Sequence, residues 1–304
     1  LRRGTREGHQ TLDFGRSRER SDGTKPYEFG DPINELDVSA TLRNTLARAR
    51  SESPDQAIGL PLRIRGDDIE IHRTEGQSDT AICVLIDMSG SMMRWGRFFQ
   101  AKRVAMGLTS LVRTKFPQDT VDFVGFYSLA DALRESDLPL VMPKPVSVHD
   151  PTVRMRMPLA EARENVERIP QHFTNLQLGL RQARAILARR GAANKQIFVI
   201  TDGQPTAHVE PSPADGSDML YLLYPPEQRT ADATLKEALA CVQQGMRIAT
   251  FALVEDYWGM DWVGFVDQLT RLTRGTAFYC SSDDLASTVM ESYLSGKRRR
   301  RVTT

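Results

Sequence analysis

Residues 81–86 (AICVLI), 196–201 (QIFVIT) and 247–254 (RIATFALV) are nearly unbroken apolar runs, and they constrain the fold more than any other feature. A strand with one face in water alternates apolar and polar residues, so unbroken runs predict strands covered on both faces. Helical spacing separates them: Phe98, Ala101, Ala105, Leu108, Leu111 and Val112 share one side of a predicted helix over 96–115. Further helices are predicted over 176–190, 227–245, 258–273 and 282–295, with shorter strands at 121–126, 132–135 and 276–280. Strands alternating with helices of this length argue for an α/β fold: a central, mainly parallel sheet with helices on both faces.

At 304 residues the chain has the length of one large domain, or one medium domain with appendages. Residues 1–58 read as a flexible basic and polar arm, with Arg2, Arg3, Arg6, Arg16, Arg18 and Arg20 ahead of Lys25-Pro26. Within it, the spacing of Ile33, Leu36, Val38, Leu42 and Leu46 allows a short helix over 31–50 capped by Ser39. Residues 59–79 read as a small β-hairpin, 60–65 against 69–73 around Gly66-Asp67-Asp68. The main domain spans 80–295, and 296–304 form a basic tail.

Lys and Arg number 40 against 39 Asp and Glu, which argues against a globally basic nucleic-acid binder and against an acidic solvating protein. The terminal arginines read as solvated ends. No apolar stretch approaches the roughly 18 residues of a membrane helix. The first residues, LRRGTREGHQ, carry no signal-like apolar stretch, so a cytoplasmic location is expected, with a processed or truncated start left open. Cys83, Cys241 and Cys280 are odd in number and widely spaced, unlike a disulfide framework or a zinc cluster.

In an open α/β sheet, ligands bind beyond the carboxyl ends of the strands. The first apolar run is followed there by Asp87-Met88-Ser89-Gly90-Ser91. If the chain leaves the strand extended, side chains at i, i+2 and i+4 project to one side, and Gly90 lets the backbone turn beneath them. One carboxylate and two hydroxyls make an all-oxygen half-shell suited to a hard cation such as Mg²⁺. Two later strand-end loops can add the hydroxyl of Thr174 and the carboxylate of Asp202. A polar turn capped by Asp87, with two solvated serines, would use the same motif; Thr174 and Asp202 weigh for metal.

Asp87-x-Ser89-x-Ser91, the distant Thr174 and Asp202-Gly203 resemble the metal-ion-dependent adhesion site of the von Willebrand factor A domain family. The resemblance covers about 80–295 and implies a Rossmann-like A-domain fold. It implies that Ser89, Ser91 and Thr174 ligate Mg²⁺ (or Mn²⁺ or Ca²⁺) through their hydroxyls. Asp87 and Asp202 would act directly or through waters, leaving one position for an acidic side chain of a partner protein. Within the family, Gly96-Arg97-Phe98 with Lys102-Arg103-Val104-Ala105, residues 114–117 (TKFP), 173–176 (FTNL) and 201–208 (TDGQPTAH) resemble a narrower group. These are bacterial intracellular proteins paired with AAA+ ATPases of the MoxR or magnesium-chelatase type, so the implied partner is such an ATPase or its client. The chain carries no G-x-x-x-x-G-K-[ST] phosphate loop of its own.

Residues 137–158 and 204–226 form two long loops in this reading. Arg154, Arg156, His208 and Tyr221 on them are the expected partner-binding residues. An extra strand or a cover over the sheet edge, with the arginines solvated, accounts for the same residues. His172 and His208 lie near the metal loops in sequence, without a third ligand to define a second site. No G-x-S-x-G elbow accompanies the serines, so no enzyme is expected. Metal-dependent phosphoester hydrolysis and surface adhesion stand as the alternatives.

Overall fold

The structure is a computed structural model that describes residues 18–27, 36–52, 61–76, 79–254, 260–281 and 283–298. It divides into two compact units, Leu1–Ser78 and Asp79–Thr304.

In the first unit, β1 (Arg18–Pro26) pairs antiparallel with β2 (Glu70–Gly76), and α1 (Val38–Glu52) lies between them in sequence. This corrects the reading of 1–58 as an arm for the described residues 18–27 and 36–52. The strand RERSDGTKP has no apolar alternation to announce it, because backbone hydrogen bonds carry the pairing. It also corrects the hairpin: β2 is present, but its partner is β1 and not residues 60–65. Asp37, not Ser39, caps α1, its Oδ1 accepting from Ala40 N at 2.9 Å. Asp68 is buried in the turn Gly66–Asp68, where it accepts from Arg48 Nε (2.9 Å), Arg48 Nη2 (2.8 Å), Thr45 Oγ1 (3.2 Å) and Arg65 N (2.9 Å). The Arg48 guanidinium, aided by the Arg65 N–H, holds its carboxyl well below the usual range. The arginines expected at 2, 3, 6 and 16 lie outside the described residues.

The second unit runs β3 (Thr80–Asp87), α2 (Arg97–Lys115), β4 (Thr120–Phe126), β5 (Ala130–Leu133), β6 (Val153–Pro158), α3 (Leu159–Glu164), α4 (Leu176–Ala188), β7 (Asn194–Thr201), β8 (Ala207–Pro211) and β9 (Asp218–Tyr224). It closes with α5 (Gln228–Gln243), β10 (Met246–Leu253), α6 (Met260–Thr273), β11 (Thr276–Cys280) and α7 (Leu285–Arg298). Helix α7 takes in the first residues of the predicted tail; 299–304 lie outside the described residues. The main sheet has the order β11-β10-β7-β3-β4-β5, parallel throughout except for β5, which pairs antiparallel with β4. All eight residues of β3 are buried, as its unbroken apolar run predicts. Each fully buried Ile or Leu there contributes about 1.5–3 kcal/mol.

From β3 the chain crosses through α2 to β4 on one side, then returns through α4 to β7 on the other. Strand order therefore reverses between β3 and β7, whose carboxyl ends open a crevice. Right-handed crossovers put α2 on the face opposite α5 and α6. In keeping with that, α2 packs with α7, while α4, α5 and α6 form a second contiguous layer. Tyr293 on α7 donates to Asp119 Oδ2 (2.5 Å), and Asp119 Oδ1 accepts from Thr80 N (2.9 Å), which ties that layer to the start of β3.

The two long loops hold a second sheet, three antiparallel strands in the order β6-β9-β8. The extra-strand reading of 219–224 is the one the structure adopts.

Candidate metal centre

Asp87 ends β3 and is fully buried. Its Oδ1 accepts from Ser89 N (2.8 Å), folding the chain over the carboxylate, and its Oδ2 accepts from Thr201 Oγ1 (2.6 Å) at the end of neighbouring β7. Ser89 is still extended, and the chain then enters a 3₁₀ turn over Gly90–Gly96. The two serine hydroxyls lie 3.1 Å apart, on the same side as the spacing requires. Ser91 Oγ donates to Asp202 Oδ1 at 2.7 Å, and Asp202 Oδ2 is held by Arg97 Nη1 at 2.6 Å. Four of the five predicted ligands thus form one connected set at the crevice between β3 and β7.

Thr174 joins through its loop. Gly90 N donates to His172 O (3.1 Å), and Thr174 O accepts from Thr206 N (3.0 Å) and Ala207 N (3.1 Å) where β8 begins. Asn175 fixes the loop at the start of α4: its Oδ1 accepts from Leu178 N (3.0 Å), and its Nδ2 donates to Ser128 O (3.0 Å). Gly90 is required by contact: a Cβ there would lie 2.6 Å from Val146 Cγ2 and 3.2 Å from His172 Cβ.

Burial pushes the Asp87 carboxyl upward, and the nearby Asp202 charge pushes it further. Two buried carboxylates side by side call for positive charge, and Arg97 brings one unit. Among the described residues no three His, Cys, Asp or Glu side chains converge. The donors are carboxylates and hydroxyls, the set a hard oxygen-seeking cation takes. The residues present therefore fit Mg²⁺ in chemistry and charge.

Sequence reasoning missed Arg97 and Thr201 as members of this site. Thr201 carried a faint signal, as a hydroxyl ending the strand one residue before Asp202. Arg97 is buried, and a buried arginine implies a carboxylate partner, but burial is not visible in the sequence. Trp95 (φ 50°) and Gly96 (φ 67°) take consecutive left-handed conformations before α2, and the Arg97 guanidinium lies 4.5 Å from the Trp95 ring centroid. That conformation costs a non-glycine residue about 1–3 kcal/mol.

One wall of the site is the first long loop. Lys144 N donates to Met88 O (2.8 Å), Ser147 N to His172 Nδ1 (3.3 Å), and Lys102 Nζ on α2 to Pro139 O (2.7 Å) and Val141 O (3.0 Å). Leu140, Met142 and Val146 on this loop are exposed, as are Met93, Trp95 and Phe99 on the adjoining turn and helix.

The predicted partner-binding residues lie elsewhere, on the second sheet. Arg156, Tyr221 and His208 stand opposite one another in a single cross-strand row. His208 is fully buried, which corrects its reading as a contact residue. Its ring stacks on Tyr221 (5.0 Å between centroids), and its Nδ1 lies 3.0 Å from Thr230 Oγ1 on α5. Successive residues of a strand alternate between its faces, so His208 turns toward α5 while Ala207 and Val209 turn to the opposite face; on the outer edge of β8, Val209 N donates to Gln177 Oε1 of α4 at 2.6 Å. Tyr221 is covered in turn by Arg229, which pairs with Glu210. Arg154 and Arg156 are exposed, and Arg154 pairs with Glu227 at 3.2 Å.

The family description "Rv0959-like protein, vWA domain" matches residues 80–294, and "Rv0959-like protein, third domain" matches 19–74. The chain is 28% identical over 285 residues to the uncharacterized proteins Rv0959 of Mycobacterium tuberculosis (strain H37Rv) and Mb0984 of Mycobacterium bovis. That alignment covers 94% of this chain and 37% of each relative, so the chain spans little more than a third of their length. Among solved structures it is similar to the PilB minor pilin of Streptococcus sanguinis, with TM-score 0.50 and 16% identity over 80% of this chain and 67% of that one. At that identity the likeness concerns the fold alone. Among the described residues no helix is long and apolar enough to cross a membrane.

Proposed function

The chain belongs to the Rv0959-like family, with its third domain and its von Willebrand factor A domain, and on that footing we propose that it is a Mg²⁺-dependent protein-interaction module. One observation carries the reading: Asp87, Ser89, Ser91 and Asp202 form one connected set where strand order reverses, the Ser89 N–H joining Asp87 to the two serine hydroxyls and Asp202. Ser89, Ser91 and Thr174 would hold the ion through hydroxyls, and Asp87 and Asp202 directly or through water. Bound there, Mg²⁺ supplies an electrophilic position for a carboxylate from a partner; Mn²⁺ or Ca²⁺ would meet the same donors.

The chain's own residues do the rest. Thr201 and the Ser89 N–H orient Asp87, and Ser91 and Arg97 orient Asp202, so the donors are arranged before a ligand arrives. Preorganisation of this kind reduces the ordering cost of binding. Both carboxylates are engaged in these bonds, which suits a binding device without turnover. The exposed Met93, Trp95, Phe99, Leu140, Met142 and Val146 offer apolar contact around the incoming carboxylate.

The partner class we propose is an AAA+ ATPase of the MoxR or magnesium-chelatase type, or its client, in the cytoplasm. The stretches 96–105, 114–117, 173–176 and 201–208 support it by resemblance. Affinity capture from source-cell lysate, in Mg²⁺ and in EDTA, with wild type beside Asp87→Ala, tests this. Retention of an AAA+ ATPase by wild type in Mg²⁺ alone is the expected result. Equal retention by Asp87→Ala in EDTA would refute a metal-centred interface, and capture of a cell-surface partner would favour adhesion.

A further inference from the structure

We propose that Arg97 sets the charge of the metal centre, weakening its hold on the ion and making the loaded centre selective for one carboxylate. This rests on the metal-centre reading above. Arg97 is buried on the first turn of α2, and its guanidinium meets Asp202 Oδ2 at 2.6 Å while Ser91 holds Oδ1. Among the described residues, Asp87 and Asp202, both ionised once a cation is bound, and the Arg97 guanidinium sum to one negative charge. A divalent cation turns that into one positive charge, and a single partner carboxylate then neutralises it.

Without Arg97 the arithmetic changes. Two carboxylates and a divalent ion are already neutral, so the ion would bind more tightly and an incoming carboxylate would find no net charge to meet. The interior magnifies both effects, because charges out of water are poorly screened. An arginine suits this post: its guanidinium stays protonated, so its charge does not vary with pH. The αL pair Trp95 and Gly96 turns the chain so that Arg97 enters the site, and the Trp95 ring lies over the guanidinium at 4.5 Å.

The two affinities must therefore move in opposite directions when Arg97 loses its charge. The test compares wild type, Arg97→Gln and Arg97→Lys by calorimetric titration with Mg²⁺ in chloride buffer. Acetate is then titrated into the Mg²⁺-saturated chain and read by tryptophan fluorescence. Arg97→Gln is expected to bind Mg²⁺ about tenfold more tightly and acetate about tenfold more weakly, within the usual span of coupling between sites. Arg97→Lys, which keeps the charge but loses the planar stack on Trp95, is expected to stay closer to wild type than Arg97→Gln in both. Unchanged Mg²⁺ affinity in Arg97→Gln, affinities that move together, or Arg97→Lys behaving like Arg97→Gln would each overturn the proposal. Absence of Mg²⁺ binding in wild type and Arg97→Gln alike would remove the metal-centre reading itself, and this inference with it.

Discussion

Ser91 and Asp202 are separated by 111 positions, yet the serine hydroxyl donates to the carboxylate over 2.7 Å. That bond joins the loop after β3 to the loop after β7. It makes the candidate metal centre a property of the sheet and not of either loop.

Ser91→Ala removes the donor and leaves Asp202 Oδ1 without it. The bond is only partly buried, since Ser91 is exposed while Asp202 is buried, so its loss costs about 1 kcal/mol. We expect a lower midpoint of thermal unfolding in EDTA and a loss of Mg²⁺ binding of tenfold or more by calorimetry. Wild-type Mg²⁺ affinity in this variant would show that the Ser91 hydroxyl is not a ligand.

Gly90→Ala places a Cβ 2.6 Å from Val146 Cγ2 and 3.2 Å from His172 Cβ. The expected destabilisation is about 1–3 kcal/mol, the usual range for overpacking. Adding Val146→Ala should recover part of it, because the closest clash is with that side chain. A double-mutant cycle by chemical denaturation measures the coupling, and additive effects would mean that the His172 contact dominates.

His208 gives the fold an acid limb. Burial lowers its pKa from the ordinary 6.5, so the unfolded chain binds a proton at mildly acid pH that the folded chain refuses. Its contribution to stability is complete above 6.5 and declines as pH falls below that value. His208→Gln should flatten the stability–pH curve over that window while leaving Mg²⁺ affinity unchanged, since the ring faces α5. Denaturant midpoints from pH 5 to pH 8 test it; an unchanged slope would assign the limb to other groups.

Asp68→Asn should loosen the first unit. The carboxylate accepts from Arg48, Thr45 and the Arg65 N–H, and its depressed pKa means this support is complete above the usual Asp range and declines from there until pH reaches the much lower value of the folded chain. Faster hydrogen exchange in α1 of the variant at neutral pH, with metal binding intact, is the expected result. Exchange equal to wild type would mean that backbone pairing alone orders the unit.

The α/β fold was legible because its strands are buried on both faces and therefore unbroken in sequence, as β3 shows. The ligand types were legible for a related reason. A polar cluster directly after such a strand has only the sheet's carboxyl edge to occupy, and Asp87, Ser89, Ser91 and Asp202 meet there. β1 was not legible, since RERSDGTKP owes its strand to backbone pairing with β2. Nor was the direction of His208, which depends on where α4 and α5 sit relative to β8.

The sequence alone determined which segments are the strands of the main sheet, which residues carry oxygen donors, and that Asp87, Ser89, Ser91 and Asp202 follow two of those strands. Apolar periodicity and local order encode these things along the chain. Only the tertiary structure decided that Arg97 enters the site, that Thr201 holds Asp87, and that Arg154, Arg156 and Tyr221 belong to a separate sheet. Those relationships are set by the reversal of strand order between β3 and β7 and by the packing of helices across the sheet. No local pattern of residues records them.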